Sequence, residues 1–582
     1  MISTLKTLAP YLLVRRWRYL RGALSLAGKT VAGAAIPVAL RYGIDRLAAG
    51  VNLETLLRFG LLLIGLAAVK AFCQYWMRWI LIGISRDIEY DLRQDLTAHL
   101  LRMQQRFFRI YPTGDLMSRA VNDLAAVRML LGPGLMYSLD VVLTFIVVLT
   151  VMSVTDWRLT CLIFLPVPLV SYLVRRFGRL THDRFQQTQE RLSDLTAMVQ
   201  ENLVNVRVVR AYAQGAAEQE RFGERNDRLL QENLKLVAIW RVFYPTMEAL
   251  IGLTYVIVIG FGGWQAVRGA ITLGSFVMFL SYLAILTWPM IGLGWVINLV
   301  ERGTASLERI NELLRARPLA LEPSPEPLPA ELRGDLEFQD VTVYYPNSDR
   351  PALENVSLFI PAGEIVAVVG AVGAGKTTLL NLAPRLVEPA SGRVLIDGVE
   401  VRSLPLETLR AAIGFVPQES FLFSRSVRDN LLFGAPEAQQ WQVEDAASIA
   451  HILEEIEAFP EGFETAVGER GVTLSGGQKQ RAALARAVLR DPRILVLDDA
   501  LASVDAGAEA AILERLRVFM QNRTTLMATH RLPAARLADR ILVLDDGRLV
   551  ESGTHIELMA ARGPYAKMVR RQALEEELVR DG

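Results

Sequence analysis

The sequence predicts a multidomain protein in which an all-α transmembrane domain is followed by a soluble α/β domain. Its 582 residues exceed what one hydrophobic core usually supports. Long apolar runs separated by Arg-rich patches fill residues 1–314, which we interpret as the membrane domain. Over residues 333–582, short apolar strands alternate with Gly-rich turns and charged helices, which favours a soluble α/β domain. Residues 315–332 are Pro-rich and lack periodic apolar positions, so we predict a semi-rigid linker there.

About six apolar stretches are long enough to cross a bilayer, which requires roughly 20 helical residues. Most intervals between them are short, but 84–128 and 181–243 are long, charged and patterned as helices. We therefore predict short loops on one side of the membrane and long helical extensions on the other. The predicted spans are 19–44, 56–83, 129–154, 159–180, 244–267 and 273–300.

Arginine distribution predicts the orientation of these helices. Arginines cluster just before the first span and recur throughout both long intervals. Under the positive-inside rule, the N-terminus and the helical extensions are cytoplasmic. The first 20 residues lack the pattern of a removable signal peptide and are better described as an interfacial helix. We expect a multi-pass protein of the cell (inner) membrane, with its soluble domain in the cytoplasm.

Composition disfavours two functional classes. The formal net charge is +1 and long basic blocks are lacking, which argues against nucleic-acid binding. The two cysteines, Cys73 and Cys161, lie inside apolar runs, which argues against a disulfide framework or a thiolate metal site.

A glycine-rich turn between a strand and a helix predicts a nucleotide site. The apolar strand 365–369 is followed by the sequence GAVGAGKTT, and then by an apolar helix start. Backbone N–H groups of such a loop wrap phosphates, its lysine reaches the terminal phosphates, and its first threonine can bind Mg²⁺. A simple glycine-rich turn is the alternative, but the flanking strand and helix disfavour it. The predicted nucleotide-binding residues here are Gly370, Gly373, Ala374, Gly375, Lys376, Thr377 and Thr378.

A second apolar strand, 494–497, ends in Asp498. P-loop enzymes place a Mg²⁺-organising carboxylate at such a strand end. The predicted cofactors are therefore ATP and Mg²⁺, with Thr377 and Asp498 at the metal.

Between these two strands, Leu474 to Gln478 read LSGGQ and are followed by KQR, which resembles the signature loop of ATP-binding cassette (ABC) proteins. A Ser-Gly-Gly run before a helix can bind phosphate through exposed amides, although alone it would be only a helix N-cap. The signature residues are Ser475, Gly476, Gly477 and Gln478. Further matches to the ABC pattern are Tyr345, Gln418 in FVPQ, GERG at 468–471, SVD at 503–505 and His530.

The membrane part is similar to ABC exporters that have six helices per half. Phe107 to Asp123 resemble the first coupling segment of those exporters, and Glu201 to Tyr212 resemble the second. The resemblance implies a half-transporter made of a six-helix membrane domain and one α/β P-loop ABC ATPase domain, which acts as an ATPase-coupled exporter.

The same resemblance implies roles for the remaining motif residues. Tyr345 stacks on adenine, although an ordinary edge-strand aromatic is the alternative. Gln418 binds Mg²⁺ and water, and His530 senses the γ-phosphate. In this family each ATP lies between the P-loop of one chain and the signature loop of the other. A chain with one of each must therefore pair, with itself or with a relative.

Asp499 departs from the family pattern, because hydrolysing sites carry a glutamate directly after the strand-end aspartate. The aspartate is one methylene shorter, and retreat of the base by about 1 Å should weaken catalysis strongly. We expect Asp499 to occupy a degenerate base position in a site that binds ATP and hydrolyses it slowly. The chain resembles the degenerate-site subunit of TmrA/TmrB-type heterodimeric multidrug exporters, whose partner would supply the catalytic glutamate. A homodimeric exporter or lipid flippase with Asp499 as base is one alternative, and an ATP-gated channel is another.

Ionisable residues inside apolar spans are candidates for substrate contact. Asp140, Glu248 and Arg41 are the candidates for a substrate cavity, with snorkelling or interhelical pairing as the alternative. Hydrophobic drugs, lipids and peptides all remain open as substrates.

Overall fold

The computed structural model describes residues 6–581, except for 49, 51, 317, 319–331, 346–347, 469–470 and 472. By their contacts the residues form two compact units, and each is described separately. The first unit contains 1–98 and 116–316, and the second contains 99–115 and 317–582. The predicted linker lies largely outside the described residues, and the predicted domain boundaries stay a prediction.

The first unit is helical. Its longest helix has 49 residues, which at the α-helical rise corresponds to about 74 Å, more than twice the thickness of a bilayer core. The helices up to residue 315 are α1 Ala9–Val14, α2 Arg16–Ala48, α3 Leu53–Leu101, α4 Gln105–Ile110, α5 Thr113–Ser118, α6 Leu124–Met129, α7 Leu135–Thr155, α8 Trp157–Phe164, α9 Val167–Val204, α10 Val206–Ala211, α11 Gly215–Ile257, α12 Gly263–Val267 and α13 Leu273–Arg315. Of these, α4 lies in the segment 99–115, which belongs to the second unit.

Single π-helical turns join several of these helices into longer ones: Arg119–Asp123, Leu130–Gly134 and Val258–Gly262. In the described residues, five continuous helical stretches are long and apolar enough to cross a membrane: Arg16–Ala48, Leu53–Leu101, Thr113–Thr155, Trp157–Val204 and Gly215–Val267. The stretch Leu273–Thr287 is a shorter apolar helix at the start of the sixth predicted span.

Small residues allow these helices to approach closely. A Cβ added at Gly132 would lie 2.5 Å from Ser85 Oγ, and one added at Gly303 would lie 2.5 Å from Leu130 Cβ. Polar contacts also join the helices, since Asp123 accepts hydrogen bonds from Ser306 Oγ at 2.9 Å and from Arg309 Nε at 2.8 Å. The charged ends of the helices are therefore held by specific interactions as well as by apolar packing.

The second unit contains two sheets. The four-stranded sheet is antiparallel in the order β2-β1-β4-β5, and the six-stranded sheet has the order β10-β9-β3-β8-β7-β6. In the larger sheet all neighbouring pairs are parallel except β9 and β10. The strands are β1 Leu336–Val343, β2 Leu353–Ile360, β3 Ile365–Gly370, β4 Ser391–Ile396, β5 Val399–Glu400, β6 Ile413–Val416, β7 Ile494–Asp498, β8 Thr524–Ala528, β9 Arg540–Asp545 and β10 Arg548–Gly553.

Helices flank the larger sheet, whose central strands β3, β7 and β8 are completely buried. This burial explains why β3 and the first four residues of β7 read as continuous apolar runs in the sequence, whereas β8 begins with two buried threonines. The helices are α14 Lys376–Leu382, α15 Leu406–Ala411, α16 Val427–Leu432, α17 Gln440–Ile449, α18 Leu453–Glu457, α19 Gly476–Leu489, α20 Ala506–Met520, α21 Leu532–Ala535, α22 His555–Ala561 and α23 Pro564–Asp581.

The strand order positions the functional residues. Strands β3, β8 and β7 are parallel neighbours, so their carboxyl ends meet at one edge of the sheet. The glycine-rich loop follows β3, Asp498 ends β7, and His530 follows β8. Ligands of open α/β sheets bind at this edge. A helical first unit followed by this α/β unit confirms the predicted fold class.

Candidate nucleotide site and signature loop

The turn before helix α14 has a backbone that favours glycine. Gly375 is the N-cap residue of α14, with a φ of 100°, in the left-handed region. A Cβ at this position would lie 2.5 Å from the carbonyl oxygen of Ala352. At Gly370 a Cβ would lie 2.2 Å from the carbonyl oxygen of Leu544. These glycines allow the loop to turn sharply and to pack tightly on the neighbouring backbone.

Lys376 places its charge at the centre of this loop. Its ammonium donates hydrogen bonds to the carbonyl oxygens of Gly370 at 2.9 Å and Ala371 at 2.8 Å, and the side chain is buried. Desolvation lowers the pKa of Lys376, while the negative charges of Asp499 and Asp498 act in the opposite direction. The loop therefore presents a buried cation and exposed turns to an anionic ligand.

Thr377 and Asp498, two of the residues predicted to bind Mg²⁺, lie in direct contact. Thr377 Oγ1 donates a hydrogen bond of 3.1 Å to Asp498 Oδ1, and Asp498 is buried. Desolvation raises the pKa of Asp498, the neighbouring Asp499 raises it further, and the bond from Thr377 opposes both. Hydroxyl and carboxylate oxygens are the donors that Mg²⁺ prefers, and a divalent cation would offset this concentration of negative charge. The residues thus fit Mg²⁺.

Asp499 lies half-buried directly after β7. Its backbone has a φ of 47°, and its N–H donates to the carbonyl oxygen of Ala528 at 2.9 Å. Aspartate is among the few non-glycine residues enriched in this left-handed conformation. The conformation therefore suits an aspartate at position 499.

His530 and Gln418 follow strands at the same edge. Desolvation lowers the pKa of His530, and the charge of Lys376 lowers it further, so the imidazole favours its neutral form. Both carboxylates, Asp498 and Asp499, interact electrostatically with His530. Gln418 is exposed, two residues beyond the end of β6. The structure thus groups His530 with the P-loop lysine and the carboxylates, and it leaves the Gln418 side chain in solvent.

The Tyr345 side chain is hydrogen-bonded to the first turn of helix α14, which follows the P-loop. Its hydroxyl shares a hydrogen bond of 3.0 Å with Thr378 Oγ1, and its side chain is half-buried. The guanidinium carbon of Arg109 lies 4.0 Å from the centre of the Tyr345 ring. Tyr345 therefore stands beside the nucleotide loop, as the sequence predicts, but the Arg109 contact was not predicted.

The signature loop begins helix α19. Ser475 is its N-cap residue: Ser475 Oγ accepts from the Gln478 N–H at 3.2 Å, and Gln478 Oε1 accepts from the Ser475 N–H at 2.8 Å. Ser475 and Gly476 are exposed, while a Cβ at Gly477 would lie 3.0 Å from the carbonyl oxygen of Ser503. The start of this helix is thus open to an outside ligand. In the preceding GERG motif, residues 469–470 lie outside the described residues.

Two side chains that sequence reasoning missed brace the loops of this unit. Glu455 accepts a hydrogen bond from Gln478 Nε2 at 2.8 Å and pairs with Arg481 at 2.7 Å. Arg531 donates to the carbonyl oxygen of Ala502 at 2.9 Å and pairs with Glu509. Both contacts join residues distant in sequence, and no local pattern signals them.

The candidate cavity residues of the membrane part have different environments. Asp140 accepts hydrogen bonds from Lys29 Nζ at 2.6 and 2.8 Å, which agrees with interhelical pairing. Arg41 Nε lies 4.0 Å from Asp45 Oδ2, one helical turn away, and the Glu248 side chain is exposed. Substrate contact by Asp140, Glu248 or Arg41 stays a prediction.

The fold and the site together define a class of protein. A P-loop with a buried lysine, joined to a carboxylate at the end of a neighbouring parallel strand, is the arrangement of P-loop nucleotide enzymes. Here it occurs in one chain with helices long enough to cross a membrane. The class is therefore a membrane protein with a P-loop nucleotide domain.

Comparison with known proteins is more specific. The family model of the ABC transporter transmembrane region matches residues 20–290, and the family model described as ABC transporter matches residues 353–502. The chain is 38% identical over 579 residues to the probable multidrug resistance ABC transporter ATP-binding/permease protein YheI of Bacillus subtilis, covering 99% of this chain and 98% of the relative. It is 34% identical over 561 residues to the ATP-dependent lipid A-core flippase of Syntrophus aciditrophicus, covering 96% and 93%.

A solved structure of a bacterial Atm1-family ABC exporter with ATP bound superposes with a TM-score of 0.80 at 27% identity, covering 96% of this chain and 99% of that one. The chain belongs to the ABC transporters, as an exporter half in which a membrane domain is fused to an ATP-binding domain. The ATPase domain implies ATP binding coupled to transport. The predicted resemblance to ABC exporters is confirmed at this level.

The P-loop geometry predicts unequal effects of two glycine substitutions. Gly375→Ala and Gly373→Ala both place a side chain at a positive φ, which costs about 1 kcal/mol or more. Only the first would also place a Cβ 2.5 Å from a carbonyl oxygen, because a Cβ at Gly373 meets no atom within 4 Å. In thermal unfolding of the purified protein without nucleotide, we expect a clearly lower midpoint for Gly375→Ala than for Gly373→Ala. Equal midpoints would show that Gly375 is not sterically required.

Proposed function

We propose that this chain is the degenerate-site subunit of a heterodimeric ABC exporter. In this proposal its own P-loop holds ATP with little hydrolysis, and its signature loop completes the hydrolysing site of the partner. The observation that carries the proposal is the combination of Asp499 after β7 with an intact, exposed Ser475–Gly476 turn. A chain that only held ATP would have no use for an open signature loop.

Nucleotide and metal binding follow from the residues already described. Lys376 and the loop N–H groups would hold the phosphates, while Tyr345 would hold the base. Thr377 and Asp498, with Gln418 from the end of β6, would hold Mg²⁺, which supplies charge neutralisation at the phosphates when bound. His530, with its lowered pKa, would approach the γ-phosphate as a neutral hydrogen-bonding group.

Slow hydrolysis at this site has a geometric cause. A general base must lie within hydrogen-bond reach of its water, at roughly 2.6–3.2 Å. The Asp499 carboxylate is one methylene shorter than glutamate, and the Asp499 N–H is bonded to Ala528 of the neighbouring strand. Because the backbone is fixed in this way, the shorter side chain does not gain reach by a local shift.

The proposed substrates are hydrophobic drugs, lipids or peptides, exported from the cytoplasm. Support comes from the relatives, of which one is described as a multidrug resistance transporter and another as a lipid A-core flippase. We propose a multi-pass location in the cell (inner) membrane, with the N-terminus and the ATPase domain cytoplasmic. The arginine-rich intervals between the apolar spans support that orientation.

Purification of the native complex tests the pairing. We expect mass spectrometry of the intact complex to show this chain with a related ABC half-transporter in equal amounts. That partner should carry glutamate directly after its own strand-end aspartate. A complex made of two copies of this chain would contradict the proposal and favour the homodimeric alternative.

Substitution at the base position tests the asymmetry. In the purified pair, we expect Asp499→Glu to raise ATPase activity modestly, about two- to fivefold, because it restores the length of the base. Removal of the partner's glutamate by substitution with glutamine should abolish steady-state turnover. The matched control is Asp546→Glu, which makes the same change at an exposed turn residue that also has a left-handed backbone, with φ of 46°, but lies outside the nucleotide motifs. If both base-position changes alter turnover by the same factor, the two sites are equivalent and the proposal is wrong.

A further inference from the structure

Arg109 stands on the face of the residue that is proposed to hold the base. It lies in helix α4, within the 99–115 segment that packs as part of the second unit. Its guanidinium carbon is 4.0 Å from the centre of the Tyr345 ring, within the range of a cation–π contact. Arg109 lies within the stretch that resembles the first coupling segment, and it is not one of the residues of the nucleotide-binding motifs.

We propose that Arg109 is a base-positioning residue, which holds Tyr345 by one face so that the opposite face receives the adenine. Arg109 acts through Tyr345 and does not itself touch the nucleotide. The inference rests on the proposed function only in taking Tyr345 as the base-stacking residue.

Two contacts fix the tyrosine ring. The hydroxyl is tied to Thr378 Oγ1 at 3.0 Å, in the first turn of the P-loop helix. One ring face is covered by the Arg109 guanidinium. A ring held at its tip and on one face loses little freedom when a base stacks on the other face, so binding costs less conformational entropy.

A second contact holds the same segment on the second unit. Gln104 Nε2 donates to Glu388 Oε2 at 3.3 Å, and Glu388 Oε1 accepts from the buried Arg385 Nη2 at 2.6 Å. Arg385 lies three residues beyond the end of α14. The 99–115 segment is thus linked to the start of the P-loop helix through Tyr345 and to its end through Glu388.

These contacts give a physical consequence for the segment itself. If base stacking and the Arg109 contact stabilise the same ring orientation, then base binding must also stabilise the docked segment, since coupling between two binding events is reciprocal. A nucleotide would therefore hold the 99–115 segment more firmly than tripolyphosphate does, because only the nucleotide carries a base.

The test measures base-dependent binding in the full-length chain, purified with its partner. Photolabelling with 8-azido-ATP is followed on the band of this chain, and its half-saturating concentration is determined. Competition by Mg²⁺-tripolyphosphate, which has no base, is measured in parallel. The variants are Arg109→Ala, Arg109→Lys, Tyr345→Ala and the double variant, with Arg106→Ala as control, because Arg106 is exposed in the same helix.

We expect Arg109→Ala to raise the half-saturating concentration about three- to tenfold. Arg109→Lys should give a smaller rise, because it keeps the charge but not the planar group. The double variant should be no weaker than Tyr345→Ala alone, since Arg109 acts through the tyrosine. Competition by tripolyphosphate and labelling of Arg106→Ala should both be unchanged.

Each of the following results would overturn the inference. Tighter labelling of Arg109→Ala would mean that the arginine competes with the base. Additive losses in the double variant would mean that Arg109 does not act through Tyr345. An equal loss of tripolyphosphate binding in Arg109→Ala would mean that the arginine supports only the fold. If Tyr345→Ala weakens labelling while Arg109→Ala does not, the inference alone fails. If Tyr345→Ala has no effect, the proposed base contact fails with it.

Discussion

The hydrogen bond from Thr377 to Asp498 is the interaction on which the nucleotide site depends. It joins the first turn of the P-loop helix to the end of β7, across the sheet edge where β3, β8 and β7 are parallel neighbours. Burial raises the pKa of Asp498, so the ionised carboxylate is costly unless cations and donors surround it. Lys376 and Thr377 supply part of this requirement, and in the proposed function Mg²⁺ would supply the rest. The concentration of negative charge at Asp498 and Asp499 would then favour binding of Mg²⁺ together with the nucleotide phosphates.

The residue after Asp498 is Asp499, at the position where the family pattern has a glutamate. Asp499 lies one position beyond Asp498, with its N–H bonded to Ala528 and its backbone in the left-handed region. The position of its carboxylate is therefore set by side-chain length. In the proposed function, the single missing methylene is what makes this site hold ATP with little hydrolysis. The residues proposed for nucleotide binding and the signature loop are all present in this chain, and the proposal of an unlike partner rests on that combination.

Contiguous motifs made much of this structure predictable. The strand β3, the glycine-rich loop and helix α14 are contiguous in the sequence, so the conformation from Gly370 to Thr378 follows from local sequence. The apolar spans follow from length and hydropathy, and the meeting of Asp498 with the P-loop follows from the rule that parallel strands share an edge. The family comparison confirmed the fold class and the exporter architecture that these patterns predicted.

Contacts between distant side chains were not predictable in this way. Lys29 pairs with Asp140 across 111 residues, and Glu455 holds Gln478 from 23 residues away, in each case through side chains whose sequence surroundings are unremarkable. Arg109 reaches Tyr345 from a different part of the chain altogether. Such contacts depend on tertiary packing, which periodicity and motif spacing do not encode. They also turned Asp140 from an unpaired acidic candidate into one partner of an ion pair.

In the proposed function, this chain retains ATP while its partner hydrolyses it. The most direct test photolabels the native pair during turnover with 8-azido-ATP that carries radiolabel on either the α- or the γ-phosphate, and then separates the two chains. We expect this chain to keep γ-label in proportion to α-label, whereas the partner should keep mainly α-label. A low proportion of γ-label on both chains would contradict it.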